Sequence, residues 1–260
     1  DSLSYTGGPA STTVIVDRRV PLGERITVET SIGDDEIFGS DGDELINADS
    51  GNDLIFPGFG VDRVNGGEDV DLVSYVIDEK ALRFKSAGSG SIEVSPLPGQ
   101  GNFVNSVLTD IEGIHAYGKS QIDLSTILRP ENDVFGVISG SGSQITGSNF
   151  DDNIEISFFS DYNASIEAAY RETSVINGGS GINRLRLNFE EAPDPLALAF
   201  SDQGRTLNIT AAPPDSSQGV NLIDAQNIDF FDIVFGEDSQ KFDLGQAFPS
   251  QRLAADGEFN

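Results

Sequence analysis

Five carboxylates stand nine residues apart, at Asp35, Glu44, Asp53, Asp62 and Asp71. Two positions before each of the first four is a glycine, Gly33, Gly42, Gly51 and Gly60, with Asp69 in the fifth place. Two positions after each acid is an aliphatic, Ile37, Ile46, Ile55, Val64 and Val73. Glycine permits a turn with φ > 0 and brings carbonyl oxygens toward a shared point. The acid adds a hard oxygen, and hard oxygens at flexible geometry suit Ca²⁺ better than Zn²⁺ or Mg²⁺. The aliphatic belongs on a short strand facing inward, where stacked turns bury it as a column. Each nine-residue unit is then loop plus strand, half of one coil. Carboxylates repeated along one face without counter-ions repel each other, which argues for bound metal.

Written from Thr30, the units TSIGDDEIF, GSDGDELIN, ADSGNDLIF, PGFGVDRVN and GGEDVDLVS resemble the RTX, or hemolysin-type, nonapeptide G-G-x-G-x-D-x-U-x. The resemblance implies a right-handed parallel β-roll in which two units make a coil and each ion lies between loops two units apart. Asp35 then shares an ion with Asp53, Glu44 with Asp62, and Asp53 again with Asp71. It also implies type I secretion in a bacterium and folding on extracellular calcium. The first position departs from the pattern at Thr30, Ala48 and Pro57, and Glu44 is one methylene longer than the usual Asp.

The elements that must hold these turns continue beyond them. VSYVIDEKALRFKSAGSGSIEVS alternates in the manner of strands, and SVLTDIEGIHAYGKSQIDLS follows. The order then recurs. QITGSNFDDNIEIS offers Gly147, Asp152 and Ile154 at repeat positions, and VINGGSGINRLRL offers Gly178, Gly179, Gly181, Asn183 and Leu185. LALAFSDQGRTLNIT parallels LRFKSAGSGSIEVS, NLIDAQNIDF parallels VLTDIEGIHA, and SQKFDL parallels SQIDL. This reads as a duplication whose second copy is poor in metal ligands: Ser143, Ser174 and Asn183 stand where Asp would coordinate, leaving Asp152 as the one further candidate. An insert, FFSDYNASIEAAYRET, interrupts the second copy. The expected units are capping strands over 1–29, the calcium β-roll and its following β segment over 30–124, a degenerate second copy over 125–250, and a flexible tail over 251–260.

Composition restricts the partners. Forty-three acidic against 15 basic residues give a formal charge of −28, which repels nucleic acid and anionic membranes and attracts cations. The chain has no cysteine, so disulfides, thiol nucleophiles and thiolate zinc sites are excluded. It also has no methionine and opens on no signal-peptide pattern, so it reads as a processed or excised segment whose export signal or anchor lies elsewhere. No apolar run approaches the roughly 20 residues that span a bilayer.

One other constellation bears on chemistry. His115, the single histidine, alternates with Tyr117 and Lys119 in IHAYGK, and such a trio on one strand face could abstract a proton beside a neutralised uronate. Arg83 and Lys85 would extend a groove there. G-x-S-x-G and H-E-x-x-H are absent, as are phosphate-loop and dinucleotide fingerprints. The expectation is an all-β right-handed parallel β-roll or β-helix solenoid with a duplicated, metal-poor second half. It serves as a secreted or cell-surface calcium-binding module with a structural or adhesive role. The metal ligands are Gly33, Asp35, Gly42, Glu44, Gly51, Asp53, Gly60, Asp62, Asp71 and Asp152, with surface polysaccharide or further copies of the chain as partners. The alternatives are a polysaccharide lyase or epimerase using His115, Tyr117 and Lys119, and a subunit of a surface layer or extracellular filament.

Overall fold

The computed structural model describes residues 3–6, 10–16, 25–76, 81–87, 90–116, 118–127, 134–158, 172–189, 197–202, 206–212, 220–235, 241–243 and 252–256. Along the chain the strands are β1 (Leu3–Thr6), β2 (Thr13–Ile15), β3 (Arg25–Glu29), β4 (Glu36–Phe38), β5 (Asp43–Asn47), β6 (Leu54–Phe56), β7 (Arg63–Asn65) and β8 (Leu72–Tyr75). There follow β9 (Leu82–Ser86), β10 (Ser91–Pro96), β11 (Ser106–Thr109), β12 (Gly113–Ala116), β13 (Gln121–Asp123), β14 (Val134–Gly140), β15 (Gln144–Thr146) and β16 (Asp151–Ser157). The last are β17 (Ser174–Asn177), β18 (Arg184–Phe189), β19 (Ala197–Asp202), β20 (Thr206–Ala212), β21 (Val220–Gln226), β22 (Phe230–Phe235), β23 (Lys241–Asp243) and β24 (Arg252–Asp256). Among the described residues there is no helix, so none long and apolar enough to cross a membrane.

The strands form two sheets between which the chain alternates. Sheet B has ten strands in the order β2-β4-β6-β8-β12-β14-β16-β18-β22-β24, and each neighbouring pair is parallel. Sheet A has fourteen, in the order β1-β3-β5-β7-β11-β10-β9-β13-β15-β17-β21-β20-β19-β23. Through the glycine and acid repeats the register advances by 18 residues per coil: Glu36 pairs with Leu54, Leu54 with Leu72, and Leu45 with Arg63. Two nine-residue units therefore make one coil.

Sheet A is mixed rather than wholly parallel. β10 runs antiparallel to both β9 and β11, while β11 rejoins β7 and β9 meets β13 in parallel. The same order recurs with β19, β20 and β21 between β17 and β23. The segments paired by sequence, LRFKSAGSGSIEVS and LALAFSDQGRTLNIT, thus occupy the same place in the strand order. Glycine and serine between the alternating runs allow a hairpin, which a solenoid turn does not need.

The core follows from strand alternation. In sheet B, Val14, Ile37, Ile55, Val73, Ile114, Val137, Ile154 and Leu185 form one buried row in register. In sheet A, Val28, Ile46, Val64 and Leu108 do the same. Both rows belong to one cluster, and each such side chain contributes about 1.5–3 kcal/mol on burial. All five aliphatics expected to point inward, Ile37, Ile46, Ile55, Val64 and Val73, do so.

The two chain ends join the stack. β2 and β3, expected to cap the roll, continue it: β2 pairs with β4 and β3 with β5. Arg252–Asp256, within the segment expected to be loose, pairs in parallel with β22. Each open sheet edge offers unpaired backbone groups that a further strand satisfies.

Candidate metal centre

Turns that carry the chain from sheet A to sheet B form one edge of the stack, and their last residues lie in a column. Glu36 pairs with Thr13 and with Leu54, and Gly113 with Leu72, so Thr12, Asp35, Asp53, Asp71 and Glu112 succeed one another. Each backbone N–H donates to the carboxylate of the next coil. Thr12 N donates to Asp35 Oδ1 at 2.6 Å, Asp35 N to Asp53 Oδ1 at 2.7 Å, and Asp53 N to Asp71 Oδ1 at 2.9 Å. Asp71 N ends the series on Glu112 Oε2 at 2.8 Å. One oxygen of each aspartate is thereby used. The other, Oδ2 of Asp35, Asp53 and Asp71, is buried and has no hydrogen-bond partner.

An unpartnered buried carboxylate oxygen is costly in either of its states. Burial, helped by the carboxylate of the neighbouring coil, lifts Asp53 from its ordinary 3.8 to about 6 and Asp71 to about 7. These groups hold a proton or a cation more readily than an exposed aspartate does.

The turn glycines are spent on close stacking. Gly33, Gly51 and Gly60 have φ of 137°, 129° and 113°, and Asp69 takes the fifth position at 82°. A Cβ on Gly51 would collide with Gly33 O, and one on Gly60 with Gly42 O. Gly42 is outside the positive-φ set, and its N–H donates to Ser40 Oγ at 2.9 Å.

The opposite edge, where the chain returns from sheet B to sheet A, is built differently. Glu44, Asp62 and Ser106 lie in one column there. Ser40 N and Oγ donate to Glu44 Oε2 and Oε1 at 3.2 and 2.5 Å. Glu44 N donates to Asp62 Oδ1 at 3.0 Å, and Ser106 Oγ to Asp62 Oδ2 at 3.0 Å. Burial raises Glu44 and lifts Asp62 to about 8, yet all four carboxylate oxygens of Glu44 and Asp62 already accept a hydrogen bond. Further along this edge, Ser120, Ser143 and Ser174 form a row of their own just before β13, β15 and at the start of β17, with Ser120 N donating to Ser143 Oγ at 2.8 Å. The antiparallel strands offset that row by two residues from Glu44 and Asp62, since the row through Ser106 continues to Val94, Phe84 and Ile122.

The first edge continues into the second half of the chain. Phe135 follows Glu112 and breaks the run of acids, after which come Asp152, Asn183 and Asp229. Asp152 resembles Glu44: Ser148 N and Oγ donate to its Oδ2 and Oδ1 at 2.8 and 2.9 Å. Burial lifts it to about 6. Asn183 accepts from Asp152 N at 3.1 Å, and its Nδ2 donates to Asn227 O at 3.0 Å. A Cβ on Gly178 would meet that same Asn227 O and Asn183 Nδ2; a Cβ on Gly66 would meet Asp110 O and Asp71 Oδ2. The two turns have equivalent geometry, with an amide donor in one and an unpartnered carboxylate oxygen in the other.

Among the described residues no three His, Cys, Asp or Glu side chains converge on one point. Any ion on this edge would be held by one or two aspartates with backbone carbonyls, a hard-oxygen set that suits Ca²⁺. Asp35, Asp53 and Asp71 fit that role through their orphaned oxygens. Glu44, Asp62 and Asp152 already have serine partners.

Several participants escaped the sequence reading. Glu112 closes the acid column 41 residues from Asp71, a distance set by the antiparallel insertion and invisible to a nine-residue period. Asp34 on the first edge and Asp43 on the opposite edge each tie the next coil, their Oδ1 accepting from Asn52 N at 2.8 Å and Val61 N at 3.0 Å. Their fifth-position spacing was the available signal.

The other constellation does not assemble as expected. His115 lies on β12, half-buried, with Nδ1 3.2 Å from Ser74 Oγ, and burial lowers its pKa. Lys119 lies beyond the end of β12, and its Nζ donates to Glu172 at 2.6 Å. Tyr117 lies outside the described residues. Arg83 and Lys85 are on β9 in sheet A, whereas His115 is in sheet B. No protein-family model matches the chain, and no curated protein matches it.

Proposed function

We propose that this chain is a calcium-binding β-roll module of the RTX type, secreted or held at a cell surface, with a structural or adhesive role. The observation that carries this reading is the row of three buried, unpartnered Oδ2 atoms at Asp35, Asp53 and Asp71, one coil apart. Calcium supplies the positive charge that this row lacks, so metal binding and folding of the first half are linked. A low-affinity site, with Kd about 10⁻⁴–10⁻³ M, matches extracellular calcium. On this reading the chain is a self-repelling polyanion before export and folds outside the cell, by the type I route that the repeat resemblance implies. The coil is right-handed, and the second half is a duplicate in which Asn183 and Ser148 have taken over the work of the ion. Surface polysaccharide and further copies of the chain are its partners.

Far-UV circular dichroism during a calcium titration tests this, with Asp53→Asn and Asp71→Asn in parallel. Calcium-dependent gain of β structure or stability in the natural chain, reduced in the variants, is the expected result. A chain equally folded and equally stable in chelator and in calcium would sink the reading.

A further inference from the structure

We infer that a cavity on the outer face of sheet A, walled by the loop between β10 and β11, binds an uncharged sugar residue. The loop lies across the turn that leads into β7: Gly60 N donates to Phe103 O at 2.9 Å, and Asn105 N to Gly60 O at 2.8 Å. The Phe103 ring also meets Phe59 of that turn edge-on, with centroids 5.9 Å apart. These contacts hold the loop against the sheet and leave a cavity of about 340 Å³ beside it, within the range of small-ligand sites. Its floor is one outward row in register, Asp43, Val61, Asn105 and Ser95, and its wall includes Asn102 and Phe103.

The polar groups of the cavity are largely unengaged. Asp43 accepts from Val61 N at 3.0 Å through Oδ1, and among the described residues the side chains of Asp43, Ser95, Asn102 and Asn105 make no other hydrogen bond. That leaves a carboxylate oxygen to accept, two amides that both donate and accept, and a hydroxyl, which together match a ligand dense in hydroxyls. Val61, 54% exposed, and Phe103 add apolar surface for the C–H face of a sugar ring. β7, β11 and β10 are each paired on both sides, so a peptide cannot add to them through backbone bonds.

Charges around the cavity balance, so it favours a ligand of neither sign. Asp41, Asp43 and Glu93 are matched by Arg25, Arg63 and Arg83. Arg25 is in register beside Asp43, and Arg63 and Glu93 belong to the next outward row. Arg83 is in register beside Ser95, with Nε and Nη2 turned to Gln121 Oε1 at 3.3 and 3.1 Å. Glu44 and Asp62 lie behind the floor, buried, with their carboxylate oxygens already bonded. Arg25 offsets Asp43 against a ligand amine, and the Asp43 carboxylate itself disfavours an anion in the cavity. Uncharged hydroxyls remain as the matching groups, and nucleic acid is excluded with other polyanions.

The test uses the full chain in calcium, titrated by calorimetry with maltotriose, cellotriose and triacetylchitotriose, and with trigalacturonate as the charged counterpart. At least one neutral trisaccharide is expected to bind, and at least about tenfold more tightly than trigalacturonate. Asn102→Ala with Asn105→Ala should weaken that binding by at least about tenfold while the circular dichroism spectrum stays the same. Binding of none of the neutral sugars, equal or tighter binding of trigalacturonate, or full binding by the double variant overturns the proposal. So does binding that is lost in Asp53→Asn with an unchanged spectrum, which would place the sugar on the acidic edge through bridging calcium. The cavity rests on the polysaccharide partner proposed above and not on the calcium row: none of Asp35, Asp53 and Asp71 lines it, so the two titrations can fail separately.

Discussion

Asn183 and Asp71 close equivalent turns of the same edge with opposite chemistry. Asn183 Nδ2 donates to Asn227 O at 3.0 Å, while Asp71 Oδ2 and Asp110 O crowd the same space over Gly66 with two acceptors. Asp71→Asn should therefore supply the missing donor. In chelator it is expected to stabilise the chain by about 1–3 kcal/mol, and to diminish the further gain from calcium. Asn183→Asp should do the reverse, losing a similar amount in chelator and recovering part of it in calcium. Urea midpoints with and without calcium measure both, and a destabilised Asp71→Asn would refute the equivalence.

The pH dependence of the calcium-free chain should run opposite to ordinary acid denaturation. Burial holds Asp53 near 6, Asp71 near 7 and Asp62 near 8, above the ordinary 3.8. Between 3.8 and these values the folded chain binds more protons than the unfolded one, so stability falls as pH rises through that window. Urea midpoints in chelator should be higher at pH 5 than at pH 8. Calcium, competing with the same protons, should bind more tightly at pH 8.

Ser106 supplies the partner of Asp62 Oδ2 on the opposite edge. Ser106→Ala would leave Asp62 Oδ2 buried without its donor and is expected to cost about 1–3 kcal/mol. Thermal melts of the variant in calcium and in chelator check this.

The inward column and the exposed aliphatics should respond very differently to truncation. Ile55, fully buried, should lose about 2–5 kcal/mol on substitution by Ala. Ile32 is 65% exposed, and its substitution by Ala should stay within about 0.5 kcal/mol. Equal effects in denaturant titrations would contradict the register of the coils.

The nine-residue period was legible because three positions of every unit answer to local needs. Gly33, Gly51 and Gly60 meet the stacking of one turn on the next, the acids fill the turn ends, and Ile37, Ile46 and Ile55 face inward wherever a strand alternates. Ser143 and Ser174 were legible as turn residues two positions before an inward aliphatic, Ile145 and Ile176. Glu112 was not, because its place beside Asp71 depends on how the β9, β10 and β11 insertion returns the chain to the stack.

By itself, then, the sequence determined the coil length, the buried rows and the two lines of polar turn residues, all consequences of spacing along the chain. Only the tertiary structure decided which line is left wanting a partner. Asp53 and Asp62 stand in matching units, yet one keeps an oxygen without a partner and the other receives Ser106. That difference arises where residues 44 positions apart are brought together, and hydrogen-bond satisfaction is a property of neighbours in space.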